Sequence, residues 1–331
     1  VKDRLWVTWE DHRRSRVLAE QFKCKYKPLT LEASRYIRYP ALAALTLALL
    51  VRERPKYLFC QNPSVVLAAL CVLLKPLFRY RLIVDRHSNF KFETADSKAL
   101  KARIFHAVSN FSIRNADLNI ITNHVLADIV EQTGGRAVVL PDKIPQLDSS
   151  KPAPNFFSLS DTAKVVCITM FDDDEPIQEL VQAGVGLGDR ATLFMTGNYR
   201  KTYSEAEKEA LEEKGVHFCG FVDEETYASA LANADAVVVL TKKDLILNCG
   251  AYEALSLAKP LVLSDTPTLQ QYFGGCAVYA DPRNPRSIID SIIKALNCRD
   301  QLSYKAKTSV EILDREWNIQ FSRVCESAGI I

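Results

Sequence analysis

The strongest constraint on this chain is an alternation, run through twice, of short apolar stretches with longer stretches of helical period. "RLWVTW" is followed by "RRSRVLAEQF", where Val17, Leu18 and Phe22 share a helical spacing. "YLFCQNPS" is an apolar run that ends in a turn signal, and "RLIVD", "ADLNIIT" and "RAVVLPD" complete the first set. Runs that are apolar throughout suit strands buried on both faces, and helices between them imply right-handed crossovers and a parallel sheet. The second set is "AKVVCITMF", "ATLFMTG", "VHFCGFV", "ADAVVVLT", "KPLVLSD" and "CAVYAD". Helices fit between these runs, and "NPRSIIDSIIKALN" places Ile288, Ile289, Ile292 and Ile293 on one stripe. "WNIQFSRVCESAG" reads as a final amphipathic helix. The prediction is an α/β protein with two doubly wound parallel-sheet domains facing a cleft. Residues 1–145 form the first domain, 146–160 a Pro- and Ser-containing linker, and 161–305 the second. Residues 306–331 form C-terminal helices returning to the first domain.

The length of 331 residues agrees with two domains of about 150 each. Nine cysteines are scattered without a CxxC pair. That excludes a zinc ribbon and a disulfide framework, and suits a reducing cytosol. No metal or cofactor is expected. The opening "VKDRLWVTWEDHRRSR" turns charged too early for a secretory leader. Net charge is +2 but uneven, since residues 1–150 hold 24 Lys and Arg against 14 Asp and Glu. A basic half suggests an anionic partner. Basic stripes interleaved with aromatics are missing, which disfavours nucleic acid and leaves an anionic membrane surface. "YPALAALTLALLVRER" is too short to span a bilayer, and "VVLAALCVLLKPLF" is interrupted by Lys75 and Pro76. Lys75, Arg79 and Arg81 beside Leu77, Phe78 and Tyr80 read either as an interfacial rim or as plain packing.

The chemistry-bearing residues lie at strand ends. In "LTKKDLILNCGAYEALSLAKPLVLSD", Asn248 reads as an N-cap and Gly250 as a point of close backbone approach. A helix starting near Cys249 and Ala251 would aim N–H groups at a diphosphate. Glu253, one turn inside, can accept from two vicinal ribose hydroxyls or merely favour the helix dipole. Thr241 and Asp244 precede that helix. Thr196 and Gly197 of "TGNYRK" follow an earlier strand, and Arg200 or Lys201 of the same stretch can bring positive charge to the same anion. In the first half, Glu10, Asp11, His12, Arg13 and Arg14 follow the first strand. Asn62 follows the next apolar run, Asp85, Arg86 and His87 follow "RLIVD", and Thr122 and Asn123 follow "ADLNII".

"GAYEALSLAKPLVLSD", "VVLPDKIP" and "FVDEETYASALANADAVVVLT" together resemble GT-B glycosyltransferases, the retaining family-four group of bacterial polysaccharide and glycolipid enzymes. The resemblance is strong over about 160–285 and weak at the N-terminus. It implies two Rossmann-like domains and a nucleotide-sugar donor held by Glu253, Asn248, Cys249, Gly250, Ala251, Arg200, Lys201, Thr196, Gly197, Thr241 and Asp244. It also implies an acceptor in the first domain near Arg13, Arg14, Asn62, Thr122 and Asn123, with His87 helping the sugar.

Three positions depart from the family. Leu245 stands where a first glutamate is usual, with Asp244 adjacent. "MFDDDEPIQEL" lacks the family's Arg…Lys pair, and its acids, Asp172 to Glu175, are expected to cap the following helix. The family's glycine pair after the first strand is replaced by "TWEDHRRS". The expectation is a hexosyltransferase at the inner face of a cell membrane. It moves a sugar from a nucleotide-diphosphate donor to a lipid-linked or saccharide acceptor with retention. An inverting enzyme would use Glu10, Asp11, His12 or His87 as general base. A sugar-nucleotide 2-epimerase and a non-catalytic partner subunit of the same fold are the rivals.

Overall fold

The computed structural model describes residues 3–62, 64–87, 90–148 and 150–330. The chain divides into two compact units, residues 1–143 with 317–331, and residues 144–316. In the first, the strands are β1 (Arg4–Thr8), β2 (Lys25–Pro28), β3 (Tyr57–Gln61), β4 (Arg81–Asp85), β5 (Leu118–Ile121) and β6 (Ala137–Val139). Its helices are α1 (Arg13–Gln21), α2 (Arg35–Glu53), α3 (Val65–Phe78), α4 (Leu100–Asn115) and α5 (His124–Gln132). The sheet order is β2-β1-β3-β4-β5-β6, with every pairing parallel.

Alternation along the strands supplies two core layers. Leu5, Val7, Leu58, Cys60, Leu82 and Val84 pack with Leu42, Leu49, Leu50, Leu67 and Cys71 of α2 and α3. Trp6, Phe59 and Ile83 face Leu18 of α1 and Phe22, the residue that caps its C-terminus, on the other side. Direction explains the split. The chain moves one way along the sheet from β1 to β2 and the opposite way from β2 onward, so right-handed crossovers put α1 on one face and α2, α3 and α4 on the other.

The second unit holds β7 (Ala163–Cys167), β8 (Ala191–Thr196), β9 (Val216–Gly220), β10 (Ala236–Val239), β11 (Leu261–Ser264) and β12 (Ala277–Ala280). Between them run α6 (Ile177–Leu187), α7 (Glu205–Glu212), α8 (Glu224–Asn233), α9 (Cys249–Ser256) and α10 (Pro267–Phe273). α11 (Pro285–Asn297) and α12 (Arg299–Ala328) follow. The sheet is again parallel, in the order β12-β11-β10-β7-β8-β9. The order reverses between β7 and β10, and in the first unit between β1 and β3. In doubly wound sheets ligands bind outside the carboxyl ends of the strands at these points.

Two segments differ from expectation. Within the presumed linker, Asn155–Leu159 forms a 3-10 turn, and Phe157 is buried against Val166 and Phe194 in the core of the second unit. The C-terminal region is one helix, α12, rather than several, and from Trp317 onward it belongs to the first unit. Trp317 Nε1 donates to the Pro141 carbonyl at 3.0 Å, its ring stacks on Phe321, and Val324, Cys325 and Ala328 complete the Trp6–Phe22 layer.

Candidate functional site

In the second unit, the segment from Ile168 to Pro176 after β7 is the hub of the carboxyl edge. The Thr169 N–H donates to Thr196 Oγ1 at 3.1 Å, and Thr169 Oγ1 donates to the Thr196 carbonyl at 2.5 Å. Gly197 follows with φ +92, and an added Cβ there would overlap the Thr169 carbonyl oxygen and lie 3.0 Å from Met170 Cα. Gly250 at the start of α9 has the same kind of function. A Cβ on it would come within 2.8 Å of Ile168 Cδ1, so glycine lets α9 close against this loop. Thr241 Oγ1, after β10, donates to Asp174 Oδ2 at 3.1 Å, and the Lys242 N–H donates to the Asp174 carbonyl at 2.6 Å.

The acids of this loop do not cap α6, whose N-cap is Pro176 without a side-chain cap. Glu175 instead accepts from the Met170 and Asp172 N–H groups, at 2.9 and 3.1 Å. Burial raises its pKa, against the pull of those backbone donors. Asp172 takes Lys201, whose Nζ lies 2.6 Å from Asp172 Oδ1 and 2.9 Å from the Met170 carbonyl. A base thus reaches the acidic loop from the neighbouring strand end. Lys243 Nζ stands 4.0 Å from Asp174. Arg200 is turned elsewhere: it pairs with Glu205 at 3.0 Å, both side chains being exposed.

Helix α9 begins at Cys249 with Asn248 in the capping position, but Asn248 makes no side-chain cap bond. The Ala251 N–H turns back to the Asn248 carbonyl at 3.0 Å, and the Ala251 side chain is buried, so Ala251 has no N–H to offer an anion. Glu253 is buried, and its Oε2 accepts from the Tyr227 hydroxyl of α8. Asp244 is exposed and accepts from the Leu245 N–H at 2.7 Å, while Leu245 is held at φ +63.

In the first unit the carboxyl edge carries a denser charge network. Arg14 is buried, with Nε and Nη2 on Asp85 at 3.0 and 2.9 Å, Nη1 on Asp142 at 2.5 Å, and Nη2 on the Leu140 carbonyl at 2.8 Å. Every guanidinium nitrogen is occupied, so the expected acceptor contact through Arg14 is corrected to a structural one. Burial alone would lower its pKa, but Asp85 and Asp142 outweigh burial and hold it well above normal. Burial likewise would raise Asp85, yet Arg14 and then His87 hold it well below the carboxylate range.

His87 Nδ1 lies 3.1 Å from Asp85 Oδ2. A carboxylate accepts there, which places the proton on Nδ1 and leaves Nε2 as an acceptor. His12 caps α1, accepting the Arg14 N–H on Nδ1 at 3.2 Å, and its ring stacks on His87 at 5.1 Å. Burial, and next the His87 ring, lower the His12 pKa. The folded state therefore prefers neutral His12. Stability from this group is complete above about pH 6.5 and is lost as pH falls from there through the folded value. His12→Asn keeps a capping oxygen and removes the titration. Its melting temperature is expected to fall less than wild type between neutral pH and about pH 5, and equal slopes in a thermal series would refute this.

Of the other first-unit candidates, Glu10 and Asp11 are exposed, and Asp11 accepts from the Tyr26 hydroxyl at 2.9 Å. Arg13 is half-buried and Thr122 is buried. Asn123 Oδ1 caps α5 through the Leu126 N–H at 3.0 Å, which accounts for its position without a sugar. Asn62 stands at the β1/β3 reversal, fully buried, and neither side-chain atom has a hydrogen-bond partner among the described residues. Beside it Gln61 Oε1 takes the Thr8 hydroxyl, and Gln61 Nε2 has no partner among the described residues. Buried amides are normally satisfied, so these unpartnered atoms depart from the rule. Arg86 is buried on neutral partners, chiefly Ser112 Oγ at 2.8 Å, and burial pulls it down to about 10.

Sequence reading missed Tyr227, Asp142 and Gln61. The first two lie inside the stretches that carried the family resemblance, but nothing local marks them as partners of Glu253 and Arg14. Among the described residues no group of three or more His, Cys, Asp or Glu side chains is placed to hold a metal ion.

Residues 163–298 match the family model described as Glycosyl transferases group 1. No curated protein matches the chain by sequence. Among solved structures, it is similar to sucrose-phosphate synthase from Thermosynechococcus elongatus, with TM-score 0.71 and 17% identity, over 96% of this chain and 84% of that one. It is similar to Anabaena HepE in complex with UDP, with TM-score 0.72 and 14% identity, over 100% and 93%. It is also similar to an alpha,alpha-trehalose-phosphate synthase (UDP-forming) from Burkholderia vietnamiensis, with TM-score 0.66 and 14% identity, over 91% and 82%. Two parallel six-stranded sheets and these likenesses establish the architecture: the chain has the GT-B fold, and its second unit contains the segment that matches the glycosyl transferases group 1 model.

Proposed function

We propose that the chain is a glycosyltransferase that takes a hexose from a nucleotide-diphosphate donor, with UDP as the first nucleotide to test. The observation that carries this is Glu253, a buried carboxylate one turn inside α9, within the matched family segment. Its Oε2 accepts from the Tyr227 hydroxyl, and a carboxylate at this place in the matched segment suits a ribose diol. HepE is described in complex with UDP and with UDP-glucose, which supports the choice of nucleotide. The α9 start and Thr241 would lie along the diphosphate. Lys201 and Lys243 are the bases the fold brings to the acidic loop, and either would stabilise the leaving group.

The acceptor is lipid-linked or saccharide, in cell-envelope or exopolysaccharide synthesis at the inner face of a cell membrane. Asn62, Gln61 and His87 are the polar groups of the first unit that suit its hydroxyls. With retention, the acceptor oxygen attacks the anomeric carbon as the carbon–diphosphate bond breaks, and the acceptor proton passes to the departing diphosphate. An inverting reaction would instead use His87 Nε2 as base.

Calorimetry with UDP tests the donor site. Glu253→Ala is expected to weaken UDP by about 1–3 kcal/mol, the loss of a pair of charge-assisted hydrogen bonds. Tyr227→Phe should weaken it less, because the carboxylate remains but loses its orientation. Unchanged affinity in Glu253→Ala would end the ribose assignment. Leu245, where the resembled family usually has a glutamate, favours a second reading, a non-catalytic subunit that binds a partner enzyme, for which calorimetry would find no nucleotide binding. Incubating UDP-sugar with and without acceptor separates transfer from epimerisation of the donor and from no reaction.

A further inference from the structure

The outer face of the α2–α4 layer has an arrangement that the core does not explain. Helix α2 buries Leu42, Thr46, Leu49 and Leu50 on the sheet. Its opposite face is also uncharged: Ile37, Pro40, Ala44, Leu47, Ala48 and Val51 follow helical spacing in solvent, and Leu45 lies beside them. An amphipathic surface helix would carry polar residues there. Helix α3 packs against both α2 and α4 and exposes Val66, Leu73 and Leu77. Helix α4 exposes Leu100, Ile104, Ala107 and Phe111, again at helical spacing. Ile37 at 64%, Leu77 at 71% and Ile104 at 54% exposure are too open for members of a core. Because right-handed crossovers put all three helices on one side of the sheet, these side chains form one outward surface.

Charge narrows the occupant. The three helices contain seven bases, Arg35, Arg38, Arg52, Lys75, Lys101, Arg103 and Arg114, and one acid. That acid, Glu53, is already paired with Lys25 and Arg52. Arg54 and Arg79 add bases at the helix ends; of the further acids, Asp117 just after α4 is paired with Lys75 at 2.8 Å, and Glu93 and Asp96 lie in the segment before α4. Large apolar side chains spread over three helices and rimmed by bases suit a surface that is apolar beneath and anionic above. No helix among the described residues is long and apolar enough to cross a membrane, so the fit is to lying on one.

We propose that the outer face of α2, α3 and α4 docks on an anionic lipid bilayer, with Ile37, Leu45, Leu77 and Ile104 entering the headgroup–acyl boundary and the bases meeting the lipid phosphates. Docking stands on this surface alone and does not depend on the donor assignment.

Co-sedimentation of the full chain tests it, with vesicles of phosphatidylcholine alone and of phosphatidylcholine and phosphatidylglycerol in equal parts. Wild type should pellet with the anionic vesicles and stay in solution with the neutral ones. Leu45→Glu combined with Leu77→Glu should reduce the partition coefficient about tenfold or more. Lys101→Glu with Arg103→Glu should do likewise and flatten the salt dependence. These positions are exposed, so melting temperature and UDP affinity should stay at wild-type values and report an intact fold. Partitioning that is equal for wild type and variants, or the same on both vesicles, would overturn the proposal. So would concentration-dependent self-association, abolished by Leu45→Glu with Leu77→Glu, in a protein that binds neither vesicle; that result would assign the face to a second copy of the chain.

Discussion

Replacing Arg14 with alanine is expected to destabilise the first unit by about 3–5 kcal/mol, the usual cost of stranding a buried charge. Arg14 meets two carboxylates and a carbonyl, and Asp85 has no exposure through which water can take over. The loss should therefore exceed that of any surface pair such as Lys151–Glu225. Urea unfolding measures it, and a change under about 1 kcal/mol would mean that the network behaves as a solvated one. Adding Asp85→Ala to Arg14→Ala should recover part of the loss, because the stranded charge is gone. The pH dependence has a definite sign. Asp85 is held below the ordinary carboxylate range, so its contribution is complete above about pH 4 and disappears as pH falls below that. In Arg14→Ala the partner that most offsets burial of Asp85 is gone, so the part of the stability lost below about pH 4 should be smaller than in wild type.

Gly197→Ala is expected to cost about 2–5 kcal/mol, combining a left-handed backbone with a forced overlap. The φ of +92 disfavours any side chain, and the atoms in the way are the Thr169 carbonyl and the Met170 backbone, which have no rotamer to change. The strand-end pairing of Thr169 with Thr196 must then loosen, and with it the loop that carries Asp172 and Asp174. A drop in UDP affinity should accompany the loss of stability. An alanine variant with wild-type melting temperature would show that the loop adjusts freely.

Much of the fold was legible because its determinants are local. The apolar runs that read as buried strands are strands: "RLIVD" is β4 and "YLFCQ" is β3. The helix after "LILN" begins at Cys249 as its spacing suggests. Where reading failed, a distant partner had taken over a local preference. Asp172, Asp174 and Glu175 resemble first-turn caps, but Lys201, Thr241 and the Met170 N–H compete for them. Asn155–Leu159 resembles a linker by composition, yet Phe157 finds Phe194 and becomes core.

By itself the sequence determined periodicity, strand burial, helix starts and the place of Glu253, since each follows from residues a few positions apart. Only the tertiary structure decided which charges meet. Arg14 reaches Asp142 across 128 residues and Asp85 across 71, and Tyr227 reaches Glu253 across 26. The order of strands in each sheet sets these pairings. Strand order depends on crossover handedness and loop closure over the whole unit, which no short window of residues records.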